Sequence, residues 1–393
     1  MGYDTNLMIA ARMAGIDPFR VMDVQRHALE LEAKGRRIVH MEIGQPDFAA
    51  PPQVAAAAVE AIRTRRLGYT ESLGIPELRR AISDYYRQRL NVAVPTSRIV
   101  VTAGASGAFL LALGTLLNPG DEVLMADPSY PCNRHFVRMF DGRPHMIPVD
   151  ESQHYQPTDS DVRALWGPAT RGVLIASPSN PTGSVIAGEE LRSIISTARQ
   201  RRGFVIVDEI YQGLTYESGV STALELADDI FVVNSFSKYF NMTGWRLGWI
   251  VVPATHMREV EKLAQNAFIC PSAPAQYGAL AAFRPDTLAV LEDRRLEFKR
   301  RRDYLVPALR RLGFRIPITP EGAFYIYAGC EDFASDSRDF AARVLEEAGV
   351  AVAPGVDFGS NRAERHVRFA YTRSLEDLKE GVQSITGMLL RGR

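Results

Sequence analysis

Lys238 closes the stretch VVNSFSK (232–238), which runs from a β-rich segment into a polar turn carrying Ser235 and Ser237. A lysine at the C-terminal end of a strand stands on the rim where open α/β sheets place their sites. An amine there can attack a carbonyl carbon or carry protons. A second strand-like run, FVIVDEIY (204–211), ends in carboxylates and a phenol, and its Asp208 is costly to bury without a cationic or hydrogen-bonding partner. A protonated pyridine nitrogen is one such partner, and a helix-capping role at a strand-to-helix turn is the alternative. Glu209 is expected to point elsewhere.

A third segment, VTAGASGA (101–108), passes from a strand through small residues into an apolar helix. Ala105 and Ser106 there leave backbone N–H groups open to an anion, and the helix start adds its positive dipole end. Ser235, Ser237 and Arg246 surround the lysine in sequence, and hydroxyls with a guanidinium suit a phosphate dianion. The spacing Ser235-x-x-Lys238 also matches an S-x-x-K nucleophile motif, but neither S-D-N nor K-T-G accompanies it.

These groups need a scaffold, and residues 97–252 supply one in pattern. Short β-branched runs at Ile99–Thr102, Glu122–Met125, Gly172–Ala176, Phe204–Val207, Ile230–Asn234 and Leu247–Val252 alternate with helical spacing, as at Ser106–Leu117 and Glu189–Arg201. Such alternation predicts βαβ units around a mostly parallel sheet, an α/β fold. Beyond it, a long helix over Ala289–Leu312, strand-like Ala323–Tyr327, a helix over Ser337–Ala348 and strand-like Val367–Ala370 predict a smaller α+β domain. Near the start, an apolar arm and a helix over Val21–Lys34 precede the turn-rich stretch Gly44–Pro52.

Lys plus Arg equals Asp plus Glu at 46 each, so no charge excess points to nucleic acid or an anionic membrane. Cys132, Cys270 and Cys330 lack any paired spacing and are expected to be buried, reduced thiols. The seven histidines show no metal-ligand spacing, so no metal is expected. Without a signal-like N-terminus or a membrane-length apolar run, the expected location is cytoplasmic.

Taken together, the segments resemble the class I/II aminotransferases, a pyridoxal-phosphate-dependent family of fold type I. The resemblance covers nearly the whole chain and is carried, in order, by IGQPDF (43–48), GYTESLGIPELR (68–79), VTAGASGA, NPTG (180–183), DEIY (208–211), SFSKYFNMTGWRLGW (235–249), PEGAFY (320–325) and HVRFAYT (366–372). It implies that pyridoxal 5′-phosphate is held on Lys238 through a Schiff base, with Asp208 at the ring nitrogen and Asn180 and Tyr211 at the phenolic oxygen. Tyr130 in DPSYP would stack on the ring. Arg368 and the backbone at Gly44 would hold the substrate α-carboxylate. Tyr69 would reach the phosphate of a neighbouring subunit, which implies a homodimer. The family's arrangement further divides the chain into residues 1–44, an arm and part of the small domain; 45–289, the large domain; and 290–393, the small domain.

An amino acid and a 2-oxo acid are then the expected partners. A carbon–sulfur β-lyase shares the same residues and is the main alternative; a non-catalytic sensor domain is the distant one, and the chain has only about 40 residues before IGQPDF, too few for its winged-helix module. No arginine lies between Lys262 and Ala282, and the loop FICPSAPAQ (268–276) is apolar, which favours an aromatic or aliphatic substrate over a strict preference for acidic ones.

Overall fold

The computed structural model describes residues 9–217 and 219–391. Its central sheet has seven strands in the order Ile99–Thr102, Gly248–Val251, Phe231–Ser235, Phe204–Asp208, Thr170–Ala176, Glu122–Asp127 and Arg143–Pro148. Gly248–Val251 runs antiparallel to both of its neighbours, and every other adjacent pair is parallel. This is the α/β fold expected from the alternating pattern.

The strands read as nearly continuous apolar runs because both faces of the sheet are covered. Val205, Val207 and Val232 point into one core with Ile194 and Tyr86. Their neighbours Ile206, Phe231 and Val233 point into the opposite core with Phe109, Leu113 and Val260. That alternation follows from the two-residue period of a strand, and each such side chain contributes about 1.5–3 kcal/mol when fully buried. Helices Pro76–Leu90 and Gly188–Gln200 supply one cover, and Gly104–Leu116 and Met257–Ala267 the other. Pro76 opens its helix at a position where a missing N–H costs nothing.

A second, three-stranded antiparallel sheet orders Ala353–Pro354, His366–Ala370 and Tyr325–Gly329. Helices Pro285–Leu312, Ser337–Ala348 and Leu375–Arg391 accompany it. The N-terminal helix Arg20–Ala33 packs here too, with Ala28 and Leu31 against Leu345 and Ala351. Directly after it, Val39–His40 pairs in parallel with Val350–Ala351.

The structure adds elements that sequence pattern left unassigned. The edge strand Arg143–Pro148 contains Pro144 and Pro148, which disguise it and are tolerated only at an edge. Helices Pro52–Thr64, Pro76–Leu90 and Leu375–Arg391 were likewise not anticipated. All three cysteines are free thiols, but only Cys330 is buried; Cys132 and Cys270 are half-buried, against the expectation for them. No helix among the described residues is long and apolar enough to cross a membrane.

Candidate active site

Lys238, Asp208, Tyr211, Asn180, Tyr130 and Arg368 line one cavity of about 210 Å3, together with Gly44. They come from separate parts of the chain, brought together because the strands Thr170–Ala176, Phe204–Asp208 and Phe231–Ser235 are parallel neighbours ending at one sheet edge. Arg368 arrives from the middle of the small-sheet strand His366–Ala370.

Lys238 Nζ donates to the Gly44 carbonyl at 2.8 Å and lies 5.8 Å from the Tyr211 ring centre. Burial lowers the pKa of this amine to about 8; Arg368 and Arg246 add to the drop, and Asp208 opposes it. Asp208 is driven the other way, up to about 7, chiefly by burial. The Ile210 N–H, donating to Asp208 Oδ1 at 3.1 Å, and the nearby Asn133 amide hold it back, with a smaller pull from Lys238. The two shifts express one fact: the cavity strips both charges of water, and each only partly answers the other.

Arg368 is 2% exposed. Its guanidinium donates to Asn180 Oδ1 at 3.0 Å and to the Glu42 carbonyl, and packs 4.3 Å from the Tyr325 ring centre. Its Nε has no hydrogen-bond partner among the described residues. Tyr211 shares a 2.7 Å hydrogen bond with the Tyr325 hydroxyl. Gly44 is required by this crowding, since a Cβ there would stand 1.7 Å from the Tyr325 hydroxyl oxygen.

Beside the cavity, Ser235 Oγ accepts the Ser237 N–H at 3.0 Å, and Arg246 lies 3.5 Å from Ser237 Oγ. A Cβ on Gly104 would come within 2.7 Å of Arg246, so the bare glycine lets the guanidinium approach the first turn of helix Gly104–Leu116. That turn carries Ala105 and the exposed Ser106. Of the five residues expected to cradle an anion, Ser235, Ser237 and Arg246 are thus linked side by side, and Arg246 closes on the helix turn that carries Ala105 and Ser106. Tyr69 is 85% exposed and does not line the cavity of its own chain.

Glu209 points away, as its position after Asp208 suggested. It accepts from Thr222 Oγ1 at 2.9 Å and from the Ala223 N–H at 2.6 Å, fixing the turn Ala223–Glu225. It lines a larger, open crevice of about 700 Å3 whose described lining holds no lysine or arginine. The smaller cavity is therefore where opposite charges meet.

Residues that sequence reasoning missed are mostly the apolar wall: Phe19, Val21, Met22 and Ile43 line the Lys238 cavity, as does Tyr325. Tyr325 was legible within PEGAFY, whereas the aliphatic wall carried no signal. The loop 268–276 contributes nothing to the cavity of its own chain.

A family model described as aminotransferase class I and II matches residues 36–385. The chain belongs to that family. The aminotransferase is 40% identical to the valine–pyruvate aminotransferase of Mycobacterium tuberculosis over 96% of this chain and 98% of that protein. It is 33% identical to the (5-formylfuran-3-yl)methyl phosphate transaminase of Methanocaldococcus jannaschii, over 97% of this chain and all of the relative. Among solved structures, an aminotransferase from M. tuberculosis superposes with a TM-score of 0.95 at 40% identity, covering 98% of this chain and 100% of that one. Aminotransferase activity is therefore shared ground, while the substrates for which these relatives are named differ.

Proposed function

We propose that this aminotransferase binds pyridoxal 5′-phosphate at Lys238 and moves an amino group from an L-amino acid to a 2-oxo acid in two half-reactions of a ping-pong cycle. The observation that carries this reading is that Asp208, Lys238 and Arg368 line one cavity. Burying three charged groups together is expensive unless a ligand completes their pairing.

The residues present fit the cofactor. Asp208 is a buried carboxylate raised to about 7, which a cationic ring nitrogen would pair. The cup at Ser235, Ser237, Arg246, Ala105 and Ser106 has the donor chemistry of a phosphate site. Tyr130 offers an aromatic face for stacking, and Asn180 and Tyr211 offer hydrogen-bonding groups for the phenolic oxygen. When bound, the cofactor supplies a ring that draws off the electrons left when a proton leaves the substrate α-carbon.

The chain's own residues do the rest. Arg368, whose Nε is unpartnered among the described residues, presents a planar fork to the α-carboxylate and so fixes the direction of the labile C–H bond. Lys238, with its pKa near 8, is partly uncharged at neutral pH and can take that proton and return it. Asp208 holds negative charge where the ring cation would sit. Tyr69, exposed on its own chain, would complete the phosphate site of a second copy in a homodimer. Residues 1–44 with 290–393, of which 1–8 and 392–393 lie outside the described residues, are the segments expected to close as a lid over 45–289 and exclude water.

The test is to incubate the purified, cofactor-loaded protein with an amino acid panel, with and without a 2-oxo acid. Amino acid-dependent loss of the lysine-linked cofactor absorbance, reversed by a 2-oxo acid, is expected. Release of pyruvate and ammonia from cysteine conjugates without any acceptor, and no transfer, would replace this reading with a β-lyase.

A further inference from the structure

Helix Arg20–Ala33 begins without a cap of its own, because Phe19 sits at the cap position and makes no side-chain capping bond. A carboxylate from far along the chain does the work instead. The Arg20 N–H donates to Asp357 Oδ1 at 3.0 Å, and the Val21 N–H donates to Oδ2 at 2.8 Å. Two N–H groups at a helix start, aided by its dipole, form a strong and directional clamp for an anion.

Asp357 is 2% exposed and ends the turn Gly355–Asp357 next to the small sheet. Its backbone carbonyl accepts from Arg134, on the helix Pro131–Met139 of the large sheet, at 3.0 Å. One residue thus ties the N-terminal helix to both sheets.

The residues so clamped form the cavity wall. Phe19 stands edge-on to Tyr130, with ring centres 6.1 Å apart and planes at 84°. Phe19, Val21, Met22 and Ile43 line the cavity, whose only charged lining groups among the described residues are Asp208, Lys238 and Arg368. On the function proposed above, on which this inference rests, all three are engaged by the cofactor or the α-carboxylate. A charged substrate side chain against Phe19 and Val21 would lose its water and find no partner in this chain.

We propose that Asp357 is a positioning residue that sets the substrate side-chain wall through Phe19, and that this wall selects amino acids with uncharged, apolar side chains. The clamp acts before any substrate arrives, holding the ring against Tyr130 so that its face need not be ordered during binding.

The test uses the cofactor-loaded enzyme, leucine and aspartate as donors, and the half-reaction read from the lysine-linked cofactor absorbance. Wild type should favour leucine over aspartate in kcat/KM by roughly tenfold or more, the range a hydrophobic pocket can supply. Phe19→Ala should lower kcat/KM for leucine roughly tenfold more than it lowers kcat/KM for aspartate. Asp357→Asn should shift the leucine-to-aspartate ratio in the same direction, mainly through KM. The double variant should match Phe19→Ala alone, because coupled residues are not additive.

Equal losses for both donors in Asp357→Asn, fully additive losses in the double variant, or a wild-type preference for aspartate would each overturn the proposal. Should Asp357→Asn fail to fold, Phe19→Leu and Phe19→Ala decide it, and an unchanged donor ratio in both overturns it. If no amino acid changes the wild-type absorbance, the amino-transfer reading itself fails. Conversion that ignores Phe19 and Asp357 sinks only this inference.

Discussion

Lys238 Nζ lies 2.8 Å from the carbonyl oxygen of Gly44, a hydrogen bond that joins positions 194 residues apart. The segment ending at Gly44 is itself a strap. Val39–His40 pairs with Val350–Ala351, the Ala370 N–H donates to the Met41 carbonyl, and Arg368 donates to the Glu42 carbonyl. The small sheet therefore reaches the lysine through backbone carbonyls spaced along one extended run.

Replacing Lys238 by Ala should remove amino transfer while leaving a folded protein, because the side chain enters a cavity rather than a packed core. Turnover should fall by at least about 1,000-fold, the combined effect of losing the covalent attachment and a positioned general base. A steady-state assay with a melting curve on the same sample checks it, and turnover near wild type would refute the assignment of the lysine.

Arg368→Lys should raise KM for amino donors and lower kcat/KM by roughly 10- to 100-fold, since an ammonium cannot reproduce a bidentate fork, a difference of about 1.4–3 kcal/mol. The variant also gives up the 3.0 Å bond to Asn180. Donor kinetics under saturating 2-oxo acid measure the effect.

Asp208 carries a pH signature in the cofactor-free protein. Its pKa is raised from 3.8 to about 7, so the folded state holds a proton that the unfolded state has released across that window. Stability from this group should therefore fall as pH rises from about 4 to about 7 and level off above, because the unfolded chain binds fewer protons there. Urea titrations of wild type and Asp208→Asn at pH 5 and pH 8 should show wild type losing ground to the variant at the higher pH. A constant difference between them would contradict the burial argument.

Gly44→Ala places a Cβ 1.7 Å from the Tyr325 hydroxyl oxygen, so either the strap or Tyr325 must move. The expected result is a loss of roughly 1–3 kcal/mol in stability, the usual cost of overpacking. Because Tyr325 bonds Tyr211, the pH midpoint of the lysine-linked cofactor absorbance should shift as well. Thermal melts and a spectrophotometric titration would detect the two effects separately.

The polar half of the cavity was legible in the sequence because its chemistry needs scarce residue types in fixed order. Lys238, Asp208 and Arg368 stand in segments whose wording could be matched, and the structure brings them to one cavity. Phe19 and Met22 could not be read, since an apolar residue before a helix looks the same whether it faces a ligand or a core. Asp357 escaped for another reason: its partners are backbone N–H groups, which any sequence provides. In the fold, buried strands announced themselves through β-branched runs, while the proline-bearing edge strand Arg143–Pro148 did not.

The reversed direction of Gly248–Val251 has a geometric result. Its neighbours leave the sheet at Thr102 and Ser235, but this strand begins at that same end, so Arg246 comes just before it rather than after it. Were those four residues threaded the other way, the guanidinium would sit at the far margin, about 13 Å off at ~3.3 Å per residue. A single inverted ribbon thus lets an inbound loop and two outbound loops converge at one margin of the sheet.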